Sequence, residues 1–247
     1  MDEVLSKSER ERYDRQMLLP SWGADGQTRL KAAKVVVAGA GGLGCPAAIY
    51  LAAAGIGDLL VLDKDAFELS NLNRQILGWQ QDVGRPKAEA AAEKLRALNP
   101  EITVKSLVIE ITEDNIHGLI RDATVVVDAM DNWRTRFLLN EACVAQGHPL
   151  VHAGIFGLYG QITTIIPGKS PCLRCLLPEA PREVGRFPVL GATPALFATL
   201  QVMEVLKLIV GFGELLTGRL LLFNGETMEF STVTIGRRPD CPVCAHL

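Results

Sequence analysis

Four glycines fall within the six residues Gly39-Ala40-Gly41-Gly42-Leu43-Gly44. A short β-branched run, Lys34 to Ala38, leads into them, and Leu43 to Ala54 behind them has helix-forming composition. The order is therefore strand, turn, helix, and Gly39, Gly41 and Gly44 satisfy G-x-G-x-x-G in the context that motif requires. Bare backbone lets a phosphate come close, and the free amides of a helix start attract anions. Asp63 ends the next apolar run, Leu59 to Leu62, where a carboxylate can accept from ribose hydroxyls. These residues predict a nucleotide at the edge of a sheet. The turn alone fits NAD as well as a nucleoside triphosphate.

The residues after Asp63 shift that balance. Ser70-Asn71-Leu72-Asn73-Arg74-Gln75 sets an arginine among amide side chains, and Lys87 follows at a predicted helix start. Two cations with several donors suit a triphosphate better than the diester pyrophosphate of NAD. Asp131 and Asn132 lie just past the apolar run that ends at Asp128, in the crevice where doubly wound sheets bind ligands. A hard carboxylate there can hold Mg2+. Any one of these residues taken singly reads as a solvated charge or a cap, and it is their joint placement at strand ends that carries the reading.

Cys172-Leu173-Arg174-Cys175 and Cys241-Pro242-Val243-Cys244 form two C-x-x-C pairs. Four thiolates so spaced predict tetrahedral Zn2+ with a filled, structural shell. Cys45, beside the glycine turn, and Cys143 read as small packing residues. His117, His148, His152 and His246 show no ligand spacing, and only His152 falls near the predicted crevice.

The elements that must carry these groups alternate. Predicted strands at Lys34 to Ala38, Leu59 to Leu62, Thr124 to Val127 and Leu150 to Ala153 are separated by predicted helices at Leu43 to Ala54, Arg85 to Leu98 and Trp133 to Gln146. Such alternation predicts an α/β fold, a doubly wound, Rossmann-like, mostly parallel sheet. Past Gly160, Ile162 to Ile166, Arg219 to Phe223 and Glu229 to Thr234 predict an antiparallel extension. Between them Ala195 to Val210 reads as a buried helix whose Gln201, Glu204 and Lys207 form one wet edge.

Composition sets the outer bounds. The 247 residues suit one domain spanning 1–247, with 48% hydrophobic and 21% charged residues. A net charge of -3, with no run of like charges, leaves no electrostatic footprint for nucleic acid. The charged N-terminus has no signal-peptide core, so a cytoplasmic location is expected. The charge-free run from Val35 to Gly57 holds too many glycines for a membrane span, and no membrane partner is expected.

Together these residues resemble the ThiF/MoeB/HesA family, bacterial relatives of ubiquitin-activating enzymes. The likeness rests on Arg12-Tyr13-Asp14-Arg15-Gln16, the glycine turn, Asp63-Lys64-Asp65, Ser70 to Gln75, Gly84-Arg85-Pro86-Lys87, Asp131-Asn132 and the C-x-x-C pairs. It implies a homodimer that adenylylates the C-terminal carboxylate of a ubiquitin-like sulfur carrier ending in Gly-Gly, using ATP. On that resemblance Asp63 meets the ribose, Arg74 and Lys87 the phosphates, Asp131 the Mg2+, and Arg15 crosses to the partner's triphosphate. Nucleotide contacts are expected from Gly39, Gly41, Gly42, Gly44, Asp63, Ser70, Asn71, Arg74, Gln75, Lys87, Asp131 and Asn132. Family members that also bond covalently to the carrier use a cysteine between the zinc pairs. This chain has none from Leu176 to Asp240 and carries valine, glycine, arginine and phenylalanine at 184–187. An NAD-dependent oxidoreductase and a non-catalytic carrier-binding module of the same fold are the alternatives.

Overall fold

The computed structural model describes residues 4–182, 185 and 187–247; Val184 and Arg186, where the family's cysteine position was expected, lie outside them. Three helices, α1 (Lys7–Arg12), α2 (Asp14–Met17) and α3 (Gly23–Ala32), precede β1 (Lys34–Ala38). The chain continues through α4 (Gly44–Ala54), β2 (Asp58–Asp63), α5 (Lys87–Leu98), β3 (Thr103–Val108), α6 (Ile116–Ile120), β4 (Val125–Asp128) and α7 (Trp133–Gln146). Next come β5 (Leu150–Phe156), β6 (Tyr159–Ile165), α8 (Leu173–Leu176), α9 (Ala192–Val210), β7 (Arg219–Asn224) and β8 (Glu229–Thr234).

Among the described residues these strands form one sheet in the order β3-β2-β1-β4-β5-β6-β7-β8. The first five are parallel and the rest antiparallel; the sequence predicts this division but not the edge strand β3. β1 and β4 are buried on both faces, which is why they read as unbroken apolar runs. One core packs α4, α5 and α9 on the sheet, and a second packs α6 and α7 with the four paired cysteines. The chain leaves β1 toward β2 and β3, then returns to place β4 on the other side. That reversal opens a crevice beyond the carboxyl ends of β1 and β4.

One expectation fails in α9. The predicted wet edge points inward: Gln201 and Glu204 are buried, whereas Met203 is 52% exposed. Gln201 Nε2 donates to Asp128 O and Val151 O, and Glu204 Oε2 accepts from Thr164 Oγ1 and the Leu216 amide. Buried strand carbonyls need a donor and the buried Thr164 hydroxyl and Leu216 amide need an acceptor, so Gln201 and Glu204 face the sheet. By length and hydropathy α9 could cross a membrane, yet it buries Phe197, Ala198, Val202 and Val205 in the core.

Candidate active site

The turn after β1 admits only glycine at two points. Gly39 has φ +104°, and a Cβ there would stand 2.7 Å from Ala129 O; a Cβ on Gly44 would stand 1.8 Å from Gly39 O. Gly44 thus serves close packing, while Gly39, Gly41 and Gly42 line a cleft of about 1530 Å³. No side chain caps the start of α4, Cys45 N donates to Gly41 O and Pro46 has no amide N–H, which leaves the Gly44 amide at this end for an anion. Cys45 is sealed beneath, donating to Ala40 O at 3.1 Å. Burial pushes its thiol up to about 12, so it stays a packing residue.

Asp63 ends β2 facing this turn. Its Oδ2 accepts the Ala40 amide at 2.7 Å and its Oδ1 the Asp65 amide at 2.8 Å. Burial raises the carboxyl above the ordinary range, and those two amides with Lys87 oppose the rise. Lys87 opens α5, 7% exposed, with Nζ 3.5 Å from Asp65 Oδ2. Arg74 donates to Ser70 O and Asn73 Oδ1, each at 3.0 Å, and lines the cleft beside Gln75. Gln75 is 5% exposed, yet among the described residues its Oε1 has no partner. A buried acceptor left empty costs about 1–3 kcal/mol, a penalty that a ligand hydroxyl would relieve.

Across the crevice Asp131 is exposed, and among the described residues its Oδ1 meets a long 3.4 Å contact from Asn132 Nδ2. Asn132 caps α7 by accepting from the Thr135 amide. A carboxylate so little engaged fits a divalent cation. Of the residues expected to touch nucleotide, Gly44, Ser70 and Asn71 do not line the cleft. Asn71 is buried, and its carbonyl accepts the Arg74 and Gln75 amides, so it shapes the loop that presents them. Arg15 sits exposed on α2, and it is not among the residues lining this cleft.

Several cleft residues escaped the sequence reading. Arg136 donates to Ala153 O and Met130 O beneath the Asp131 loop. Phe156, Tyr159 and Phe230 carry the cleft out along the antiparallel strands. Phe230 sits on a strand that the sequence does locate, whereas Phe156 and Tyr159 fall beyond the predicted ends of β5 and β6, and nothing in their spacing says which face would be empty.

Away from the cleft, the sulfurs of Cys172, Cys175, Cys241 and Cys244 all lie within 4.8 Å of one another, with Cys172 to Cys241 at 3.6 Å and Cys175 to Cys244 at 3.4 Å. Thiolates around tetrahedral zinc, with Zn–S bonds of ~2.3 Å, stand roughly 3.8 Å apart. The donor set fits that ion.

A glycine turn at the switch point, an acidic strand end and facing cations define a nucleotide-binding α/β protein. The chain matches the ThiF family over residues 13–243 and belongs to it. It is 46% identical to the SAMP-activating enzyme E1 of Haloferax volcanii, covering 98% of this chain and 91% of the relative. It is 44% identical to the sulfur carrier protein adenylyltransferase of Thermus thermophilus, covering 97% and 92%. Among solved structures it resembles E. coli MccB with MccA-N7isoASN, at TM-score 0.87 and 26% identity over 99% of this chain and 76% of that one. MccB with ATP gives 0.85 and 27%, over 94% and 74%.

Proposed function

We propose that this protein adenylylates the C-terminal glycine carboxylate of a ubiquitin-like sulfur carrier at the expense of ATP. The observation that carries the reading is the convergence of Arg74, Lys87, Asp131 and the unpartnered Gln75 Oε1 around one uncapped helix. The names of the haloarchaeal and Thermus relatives point the same way.

A terminal carboxylate has an unperturbed pKa near ~3.5, so it reaches the site as an anion and needs no base. The obstacle is charge, since like unit charges about 4 Å apart repel by roughly 4 kcal/mol at a near-surface dielectric. Arg74 and Lys87 offset this by holding the phosphate oxygens. One carboxylate oxygen bonds to the α-phosphorus as the α–β bridging bond breaks, and pyrophosphate leaves with that electron pair. Asp131 would hold Mg2+, which would supply positive charge to offset that on the leaving diphosphate. Cys172, Cys175, Cys241 and Cys244 would hold Zn2+ in a closed shell that takes no part in the reaction. With no cysteine from Leu176 to Asp240, the product is the adenylate, and sulfur comes from another protein.

In this reading residues 1–247 act as one cytoplasmic catalytic unit, paired as a homodimer in which Arg15 reaches the partner's triphosphate. ATP–pyrophosphate exchange with candidate carriers ending in Gly-Gly tests the reaction; tight NAD binding without ATP binding would favour the oxidoreductase instead. Mixing Arg15→Ala with Asp131→Asn subunits should restore exchange in heterodimers. Absence of rescue would confine Arg15 to its own subunit.

A further inference from the structure

A chain of polar side chains runs under the cleft floor. Asp128 ends β4 and pairs in register with His152 of β5; both are fully buried, with His152 Nδ1 2.6 Å from Asp128 Oδ2. Asp128 Oδ1 accepts the Met130 amide at the root of the Asp131 loop. On its other side the imidazole presents Nε2 to Gln161 Nε2, 3.5 Å away. Gln161 lies on β6 opposite Gly154, and both line the cleft between the Asp131 loop and the aromatic residues of the antiparallel strands.

The contacts fix each group's role. Asp128 can only accept, so His152 carries its proton on Nδ1 and leaves Nε2 as an acceptor. Burial and the nearby Arg136 hold the ring in its neutral form against the pull of Asp128. Gln161 must then turn its NH2 toward the ring and its Oε1 toward the cleft. A Cβ at Gly154 would stand 3.0 Å from Arg136 Nη1 and 3.5 Å from Gln161 Cγ and Nε2, so the Gln161 amide packs beside bare backbone on the neighbouring strand.

We propose that Gln161, locked in one amide orientation by Asp128 and His152, accepts a hydrogen bond from the backbone N–H of the carrier's terminal glycine and so aligns its carboxylate with the nucleotide. The proposal rests on the adenylylation reading and adds a positioning residue to it. Gln161 reads a peptide N–H, and His152 acts through it.

The tautomer comes first, because it needs no carrier. Nitrogen-15 spectra of the intact protein should show His152 protonated at Nδ1; protonation at Nε2 would reverse Gln161 and overturn the proposal. The second test uses a semisynthetic ubiquitin-fold carrier ending in Gly-Gly, made once with its last amide intact and once with that N–H replaced by an ester oxygen. In pyrophosphate exchange the ester should raise the wild-type KM about 3- to 10-fold, the worth of one neutral hydrogen bond. With Gln161→Leu the two carriers should behave alike, while the KM for ATP stays unchanged. An ester as good as the amide in the wild type, or an ester penalty that survives Gln161→Leu, refutes the role. If the amide carrier itself supports no exchange, the adenylylation reading falls and takes this one with it, whereas exchange without discrimination removes only Gln161.

Discussion

The cleft and the cysteine cluster both gather polar, ionisable side chains, and they differ in how completely those groups satisfy one another. In the cluster four thiols converge, none more than 7% exposed, with no position left over. In the cleft, among the described residues, Gln75 Oε1 has no donor, Asp131 stands in the open and Lys87 makes a long 3.5 Å approach to Asp65. Saturation marks a site built to hold the fold, and unmet valence marks a site built to hold a ligand. The difference has a consequence at each end: damage to the first should unfold the chain and damage to the second should silence it.

The largest effect is expected at the cluster. Cys241→Ser should abolish stoichiometric zinc, measurable by metal analysis of purified protein. It should also cost on the order of 5 kcal/mol, below the ~10–16 kcal/mol that zinc supplies to peptides without a core of their own. For a chain of this size that lowers Tm by roughly 10–20 °C. Full metal content and unchanged melting would make the cluster dispensable.

Lys87→Ala should do the reverse. Loss of one preorganised charge contact removes about 2–4 kcal/mol of transition-state stabilisation, roughly 10²- to 10³-fold in exchange rate, while zinc content stays whole. Among the described residues Lys87 Nζ makes one long ion pair, so melting should shift little. Wild-type turnover in this variant would remove Lys87 from the reaction, and a collapse in Tm would blur the distinction between the two sites.

How far each half was legible follows from the same physics. Bare backbone, strand-end carboxylates and a cation at a helix start can be read from spacing, so the sequence singles out Gly39, Asp63, Lys87 and Asp131, which the structure brings to one cleft, and the two C-x-x-C pairs, which it brings together. The parallel strands buried on both faces read plainly too. β3 did not, because it is an edge strand whose Val104 alone is buried, which leaves no periodicity to find. The polar face of α9 was misread because its partners, the Asp128 and Val151 carbonyls, lie 73 and 50 residues away in the chain. Gln161 was missed for a related reason: its importance comes from His152 and Asp128, which reach it only through strand pairing.

A smaller perturbation tests whether the cleft has a structural frame of its own. Asp82 is fully buried and holds the loop between Arg74 and Lys87 from beneath, accepting from Lys94 Nζ at 2.5 Å, Arg85 Nη1 at 2.8 Å and the Trp79 amide at 2.9 Å. Burial alone would raise its carboxyl, but Lys94, the Trp79 amide and Arg85 hold it below the ordinary value. The folded state thus favours the ionised form, so the stabilisation is present above the unfolded pKa and fades as pH falls through the folded one. Asp82→Asn should cost about 2 kcal/mol at neutral pH, less than a fully buried pair because Arg85 is 43% exposed. The gap between wild type and variant in denaturant melts should hold steady above roughly pH 5 and narrow below about pH 4. A gap that widened on acidification would mean that Asp82 is protonated in the fold, and the loop carrying Arg74 would then owe its position to Asn71 rather than to charge.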